Sequence, residues 1–151
     1  MPVTLDQVRS FLDPEEPDYP EAASHLGPDA LPHLQTLVSG NDPLLASKAA
    51  YLAGQISTAQ SLAVVALAAQ STYPEVRVAA AAAARHLPAP QADTVLSTVL
   101  TDSDVGVRKV ALRSAAVVRT PGLKQQIQEM SRNDSNALIR TLAAQTANDL
   151  P

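Results

Sequence analysis

The chain of 151 residues contains no cysteine and no tryptophan. Without cysteine it can form neither a disulfide nor a thiolate metal site, which fits a reducing compartment. Its aromatics are one Phe and three Tyr, 3% of the residues. That is too few for the aromatic and β-branched alternation of strands or for a platform that stacks bases. With five glycines, loops that cradle phosphates are not expected, and no G-x-S-x-G, S-x-x-K, H-E-x-x-H, P-loop or G-x-G-x-x-G motif occurs. His25, His33 and His86 lie in separate segments without metal-ligand spacing; His33 and His86 are expected as surface or capping residues near helix ends. The longest apolar run, Leu62–Ala69, is far short of the ~20 residues that cross a bilayer. The opening MPVTLDQVRSFL has no basic segment followed by an apolar run, so no signal peptide is expected and the reading is a soluble cytoplasmic protein. No catalytic residues, metal or cofactor are expected, because nothing assembles a nucleophile, base and orienter.

What is present is alanine, leucine and valine. Hydrophobic residues make up 46% of the chain, a composition suited to closely packed helices. The net charge of −4 is uneven. Residues 1–42 hold eight acids against Arg9 alone, a net of −7, and residues 43–151 hold seven acids against ten bases, a net of +3. Such an asymmetry can steer a charged partner.

The sequence repeats itself. Thr101–Val118 opens with the turn Asp102-Ser103-Asp104 and continues into a helical pattern with Val107-Arg108 and Ala111. Asn133–Ala147 has the same layout around Asp134, Arg140 and Ala143, Ser71–Ala84 a looser one around Arg77 and Ala80, and Asn41–Gly54 one with Asp42 six residues before Lys48. The basic residues 48, 77, 108 and 140 are spaced by 29, 31 and 32. A period of about thirty residues marks a stack of helical units, each burying its apolar face against its neighbours.

In chain order, Thr4 N-caps a first helix carrying Leu5, Val8, Phe11 and Leu12, the proline- and acid-rich Asp13–Pro20 forms a loop, and a short helix spans Glu21–Leu26. Residues 1–27 read as a degenerate capping unit with a polar outer face. Four full units follow at 28–58, 59–90, 91–122 and 123–151 in one continuous domain. Their first helices are predicted at Asp29–Ser39, Gln60–Gln70, from Asp93 or Thr94, and at Leu123–Ser131; their second helices run from Leu44, from near Pro74, over Asp104–Arg119 and over Ser135–Leu150. Gln60–Gln70 is almost wholly apolar and is expected to be covered on several sides. The last helix leaves Leu138, Leu142 and Leu150 without an evident cap.

The Asp…Val-Arg…Ala layout resembles the HEAT repeat, in the short bacterial form named after phycobilisome-lyase-type proteins, over residues 28–151. The resemblance implies an all-α, right-handed α-solenoid of antiparallel helix pairs. It also implies a ladder between adjacent repeats made by an aspartate at the inter-helix turn and a basic residue of the second helix: Asp42, Lys48, Arg77, Asp102, Arg108, Asp134 and Arg140. In the first unit Lys48 stands for the arginine, and in the second Ser71 or Thr72 for the aspartate. A guanidinium partly removed from water needs such partners.

The family docks partners on the concave face formed by the second helices. With Val107, Val110, Ala111, Ala115 and Val118 turned to the core, Lys109 and Arg113 face outward. The aligned stripe comprises Ala49 and Ala53 in the first unit, Val78, Ala82 and Arg85 in the second, and Thr141, Gln145 and Asn148 in the fourth. This mixture suits an acidic or helical segment of another protein. The function expected from the sequence is therefore a non-catalytic interaction scaffold. The alternatives are an accessory subunit of phycobilin-lyase-type chromophore attachment, suggested by the resemblance, and a nucleic-acid binder as in HEAT-like DNA glycosylases. The last is disfavoured by the negative charge and by having only Tyr51 and Tyr73 as aromatics within the array.

Overall fold

Thr4 starts the first helix with a reciprocal cap. Its hydroxyl accepts the Gln7 N–H at 3.2 Å, and the Gln7 amide oxygen accepts the Thr4 N–H at 2.9 Å, so two backbone donors that a helix leaves unpaired are satisfied. The computed structural model describes residues 2–151, and every regular element among them is helical. The α-helices are α1 (Leu5–Leu12), α2 (Tyr19–Leu26), α3 (Leu31–Val38), α4 (Pro43–Ile56), α5 (Ser61–Ala69), α6 (Pro74–Ala83), α7 (Ala89–Val99), α8 (Val105–Val118), α9 (Lys124–Asn133) and α10 (Ala137–Asp149). Short 3-10 turns at Gly27–Ala30, Ala84–His86 and Pro121–Leu123 lie against α3, α6 and α9.

The helices form an α-solenoid of antiparallel pairs. Within it α3 packs on α4, α5 on α6, α7 on α8 and α9 on α10, and the second helices α4, α6, α8 and α10 stack in sequence. At the amino-terminal end α2 packs on α4, and α1 lies against α3 and α4. A continuous core runs along the stack through Leu34, Leu52, Val65, Leu96, Leu112 and Ile139. Each large side chain fully buried there contributes about 1.5–3 kcal/mol.

Helix starts set the register. Asp42, Tyr73, Asp104 and Asn136 are the N-caps of α4, α6, α8 and α10, spaced by 31, 31 and 32. The carboxylates of Asp42 and Asp104 and the amide oxygen of Asn136 each accept the N–H three residues on, at 3.1–3.2 Å. Tyr73 makes no such bond, but Pro74 follows at the first helical position, where its missing N–H costs nothing.

Measured from these caps, Arg77, Arg108 and Arg140 each stand four residues in, whereas Lys48 stands six in. Lys48 is therefore not the counterpart of the three arginines. That position in α4 is Ala46, fully buried with no room for a long side chain. The same two-residue offset corrects the stripe predicted in the first unit: Ala49 and Ala53 are fully buried, and Ser47 and Tyr51 take the outward positions.

Two more expectations change, and one holds. Helix α7 begins at Ala89, four residues before Asp93, because Pro88 takes the N-cap and Pro90 the first turn, where a missing N–H costs little. Asp93 instead accepts the Thr120 hydroxyl. Helix α5 is covered on several sides, by α3, α4, α6 and α7, and leaves Leu67 37% exposed. At the far end Leu150 folds back and is buried, Leu142 is half-buried, and Leu138 stands 80% exposed.

Candidate functional site

The outward positions five and nine residues past each cap form a stripe across the four second helices: Ser47 and Tyr51, Val78 and Ala82, Lys109 and Arg113, Thr141 and Gln145. Exposure rises along it. The first two pairs are half-buried and the last two exposed. The phase of α8 follows from its apolar spacing: Val107, Ala111 and Ala115 are buried, Val110 and Val118 half-buried, and Lys109 and Arg113 point to solvent.

Between α8 and α10 the surface opens into a groove of about 560 Å³. It brings together four of the predicted residues, Lys109, Arg113, Thr141 and Gln145, and leaves out Val78, Ala82 and Arg85. Its floor and rims are mainly apolar: Val105, Leu138, Ile139 and Leu142 line it, and Gly106 adds no side chain to fill it. Val105 is 44% exposed. Sequence reasoning misses Val105 and Gly106, and it marks Leu138 as uncapped without placing it beside the stripe. The available signal is the position two past the cap, where α6 carries Glu75, α8 carries Gly106 and α10 carries an unsheltered leucine.

Arg85 belongs to the packing between α6 and α8 instead. Its Nε donates to Ser114 Oγ at 3.2 Å, and the buried Ser114 hydroxyl donates to the Ala81 carbonyl at 2.7 Å.

On another side of the second helices, arginines bridge successive units. Arg77 Nε donates to Asp102 Oδ2 at 2.9 Å, and its Nη1 to the Ser71 carbonyl at 2.9 Å. Arg108 holds both Asp134 carboxylate oxygens, at 2.9 and 3.1 Å, and its Nη1 donates to the Asp102 carbonyl at 3.0 Å. Each aspartate also accepts the N–H two residues on, Asp104 or Asn136, at 2.9 Å, so one side chain closes its own turn and grips the preceding unit. Arg140 is anchored in the same way, to the Asp134 carbonyl at 2.7 Å. Lys48 points toward the amino terminus, donating to the carbonyls of Leu12 and Pro14 at 3.0 and 2.8 Å. Asp42 serves as an N-cap and does not meet Lys48 in an ion pair.

The histidines are engaged locally. His33 Nε2 bonds the Val3 carbonyl at 2.8 Å and ties the residue before the α1 cap to α3. His86 Nε2 lies 3.1 Å from Tyr51 Oη and 3.3 Å from Gln55 Nε2. With the amide as a donor, Nε2 is the acceptor and the neutral ring carries its proton on Nδ1. Burial, and secondarily the Arg85 charge, lower the His86 pKa below its ordinary value, which favours the neutral ring. The Tyr19 ring packs edge-on against Tyr51, with centroids 4.7 Å apart; burial, then Tyr51, raise the Tyr19 pKa. Among the described residues no three His, Cys, Asp or Glu side chains gather where they could hold a metal, and no helix is long and apolar enough to cross a membrane.

No curated protein matches the chain. Among solved structures it is similar to one chain of the complex of CpcE and CpcF of phycocyanin lyase from Nostoc sp. PCC7120, with a TM-score of 0.68 and 22% identity over 94% of this chain and 96% of that one. This likeness concerns the fold. The family description HEAT repeats matches residues 61–148, more than half of the 151 residues and the part that carries the arginine bridges and the groove. The chain belongs to the HEAT-repeat family.

Proposed function

We propose that the protein is a cytoplasmic, non-catalytic interaction scaffold that binds another protein through the exposed face of its second helices. The observation that carries this reading is the apolar groove between α8 and α10 with Leu138 80% exposed at its edge. A large apolar side chain beside unfilled apolar surface marks a contact site. Supporting it, Arg77, Arg108, Arg85 and His86 are engaged in contacts within and between the repeats. The test is affinity capture from the source lysate with the tagged chain and with Lys109→Glu/Arg113→Glu, after confirming equal helicity and melting. A protein held by the first and lost by the second supports the reading. Capture that does not differ between them removes the groove from it.

A second reading is favoured by the near-complete overlap with the phycocyanin lyase chain, 94% and 96% of the two lengths. On this reading the protein is a subunit of a chromophore-attachment system and its docking partner is a phycocyanin-like protein. Co-purification with phycocyanin chains, and chromophore attachment followed by visible absorbance in the presence and absence of this chain, separate the two.

A further inference from the structure

We infer that the occupant of the α8–α10 groove is an amphipathic helix of another protein bearing two acidic side chains one turn apart; this rests on the scaffold reading. Shape comes first. From Val105 to Arg113 the groove follows α8 over nine residues, a rise of ~12 Å, which accommodates about two turns of a helix laid along it. Its apolar surface, Val105, Ile139, Leu142 and the projecting Leu138, matches side chains spaced three and four apart on one helix face.

Charge gives the sign. Lys109 and Arg113 are the charged residues that line the groove, and no carboxylate lines it. They stand four residues apart on α8, so their stems rise ~6 Å one above the other. Both are exposed, and neither takes part in an ion pair among the described residues. Two free cations of matching spacing beside an apolar trough select acids at i and i+4 on the incoming helix and repel a basic one. Thr141 and Gln145 on the facing helix supply neutral polar groups.

The chain's own acidic end does not fit. Its amphipathic helix α1 has Val8 and Leu12 fully buried in the stack, and the segment 13–18 offers acids without an apolar face. No aromatic side chain lines the groove, so it lacks the stacking platform of a single-strand nucleic-acid site.

The test uses the full chain and a labelled, capped model peptide of four helical turns. It carries leucine on one face and glutamate flanking it, and its twin has lysine in place of every glutamate. Fluorescence anisotropy is measured for the wild type, Lys109→Gln/Arg113→Gln and Leu138→Ser, all with circular dichroism and melting checked. The expected result is binding of the acidic peptide that weakens about tenfold in either variant and with added salt, and no binding of the lysine twin. Equal binding of both peptides, lost in Leu138→Ser, overturns the acidic partner while leaving the scaffold reading intact. Acidic-peptide binding untouched by all substitutions, or absent up to millimolar concentration, overturns the groove as a helix site. Displacement of the peptide by duplex DNA reassigns the two cations to phosphate and also overturns it.

Discussion

Arg108 and Asp134 meet with only 12% and 6% of their side chains exposed, and this geometry sets what each is worth. Removing one partner strands the other where water reaches it poorly, and desolvation cost then outweighs the lost attraction. Arg108→Ala is expected to lower stability by about 2–3 kcal/mol, read as a shifted urea midpoint at unchanged slope. Lys48, which reaches only two carbonyls, is expected to cost about 1 kcal/mol or less as Lys48→Ala. Equal effects would show that the two are rungs of one ladder after all. His86 makes a separate prediction. Its folded pKa lies below its ordinary value of 6.5, so the unfolded chain takes up the proton first as pH falls. Stability is therefore full above the unfolded pKa and declines as pH drops below about 6.5 toward the folded value. His86→Gln keeps a polar group beside Tyr51 and removes the titration. The stability difference between pH 7.5 and pH 5.5 in urea should shrink in that variant, and an undiminished difference would place the acid sensitivity elsewhere.

At the level of the helix, close approach decides. A Cβ at Gly54 would stand 2.6 Å from the Ala83 carbonyl and 2.9 Å from its Cβ, so α4 and α6 touch backbone to backbone there. Alanine favours a helix over glycine by about 1 kcal/mol, but overpacking of this kind costs about 1–3 kcal/mol. Gly54→Ala is expected to lower the melting temperature, and a rise would mean that the two helices can separate freely. Arg119 ends α8 with φ 58° and an exposed side chain, a left-handed conformation that suits glycine. Arg119→Gly is expected to stabilise by about 0.5–1 kcal/mol. Ser57 has the same backbone at the end of α4 but gives its hydroxyl to the His86 carbonyl, so Ser57→Gly should gain nothing.

These same features show how far the sequence can be read. The spacing of Val107, Ala111 and Ala115 is a local periodic signal, and from it the existence and phase of α8 are legible, with Lys109 and Arg113 turned outward. The register of α4 is not, because Asp42 six before Lys48 imitates Asp102 six before Arg108. Asp42 is a cap, and Asp102 lies two residues ahead of one. Only the packing of Ala46 separates the two cases. The groove is illegible for a related reason: it is lined by Gly106 on one helix and Leu138 on another, 32 residues away, and neither residue is unusual alone.

Across the whole molecule, stability is unevenly distributed along the stack. Helix α4 buries six residues and is covered by α2 and α3 as well as α5 and α6. Helix α9 buries Ile127 alone and turns glutamines and charged residues to solvent. The pair α9–α10 is joined to the rest chiefly through α8 and through the Arg108–Asp134 bridge. In a linear array each interface is a nearest-neighbour term, so the end held by the fewest buried contacts opens first. Native-state hydrogen exchange should find the amides of α9 and α10 less protected than those of α4 and α6. Arg108→Ala should speed exchange in α9 and α10 while leaving α4 nearly unchanged, because the lost bridge spans only that junction. A uniform increase along the chain would show instead that all the helix pairs open together as one cooperative unit, with the arginine bridges acting on the whole stack rather than on single junctions.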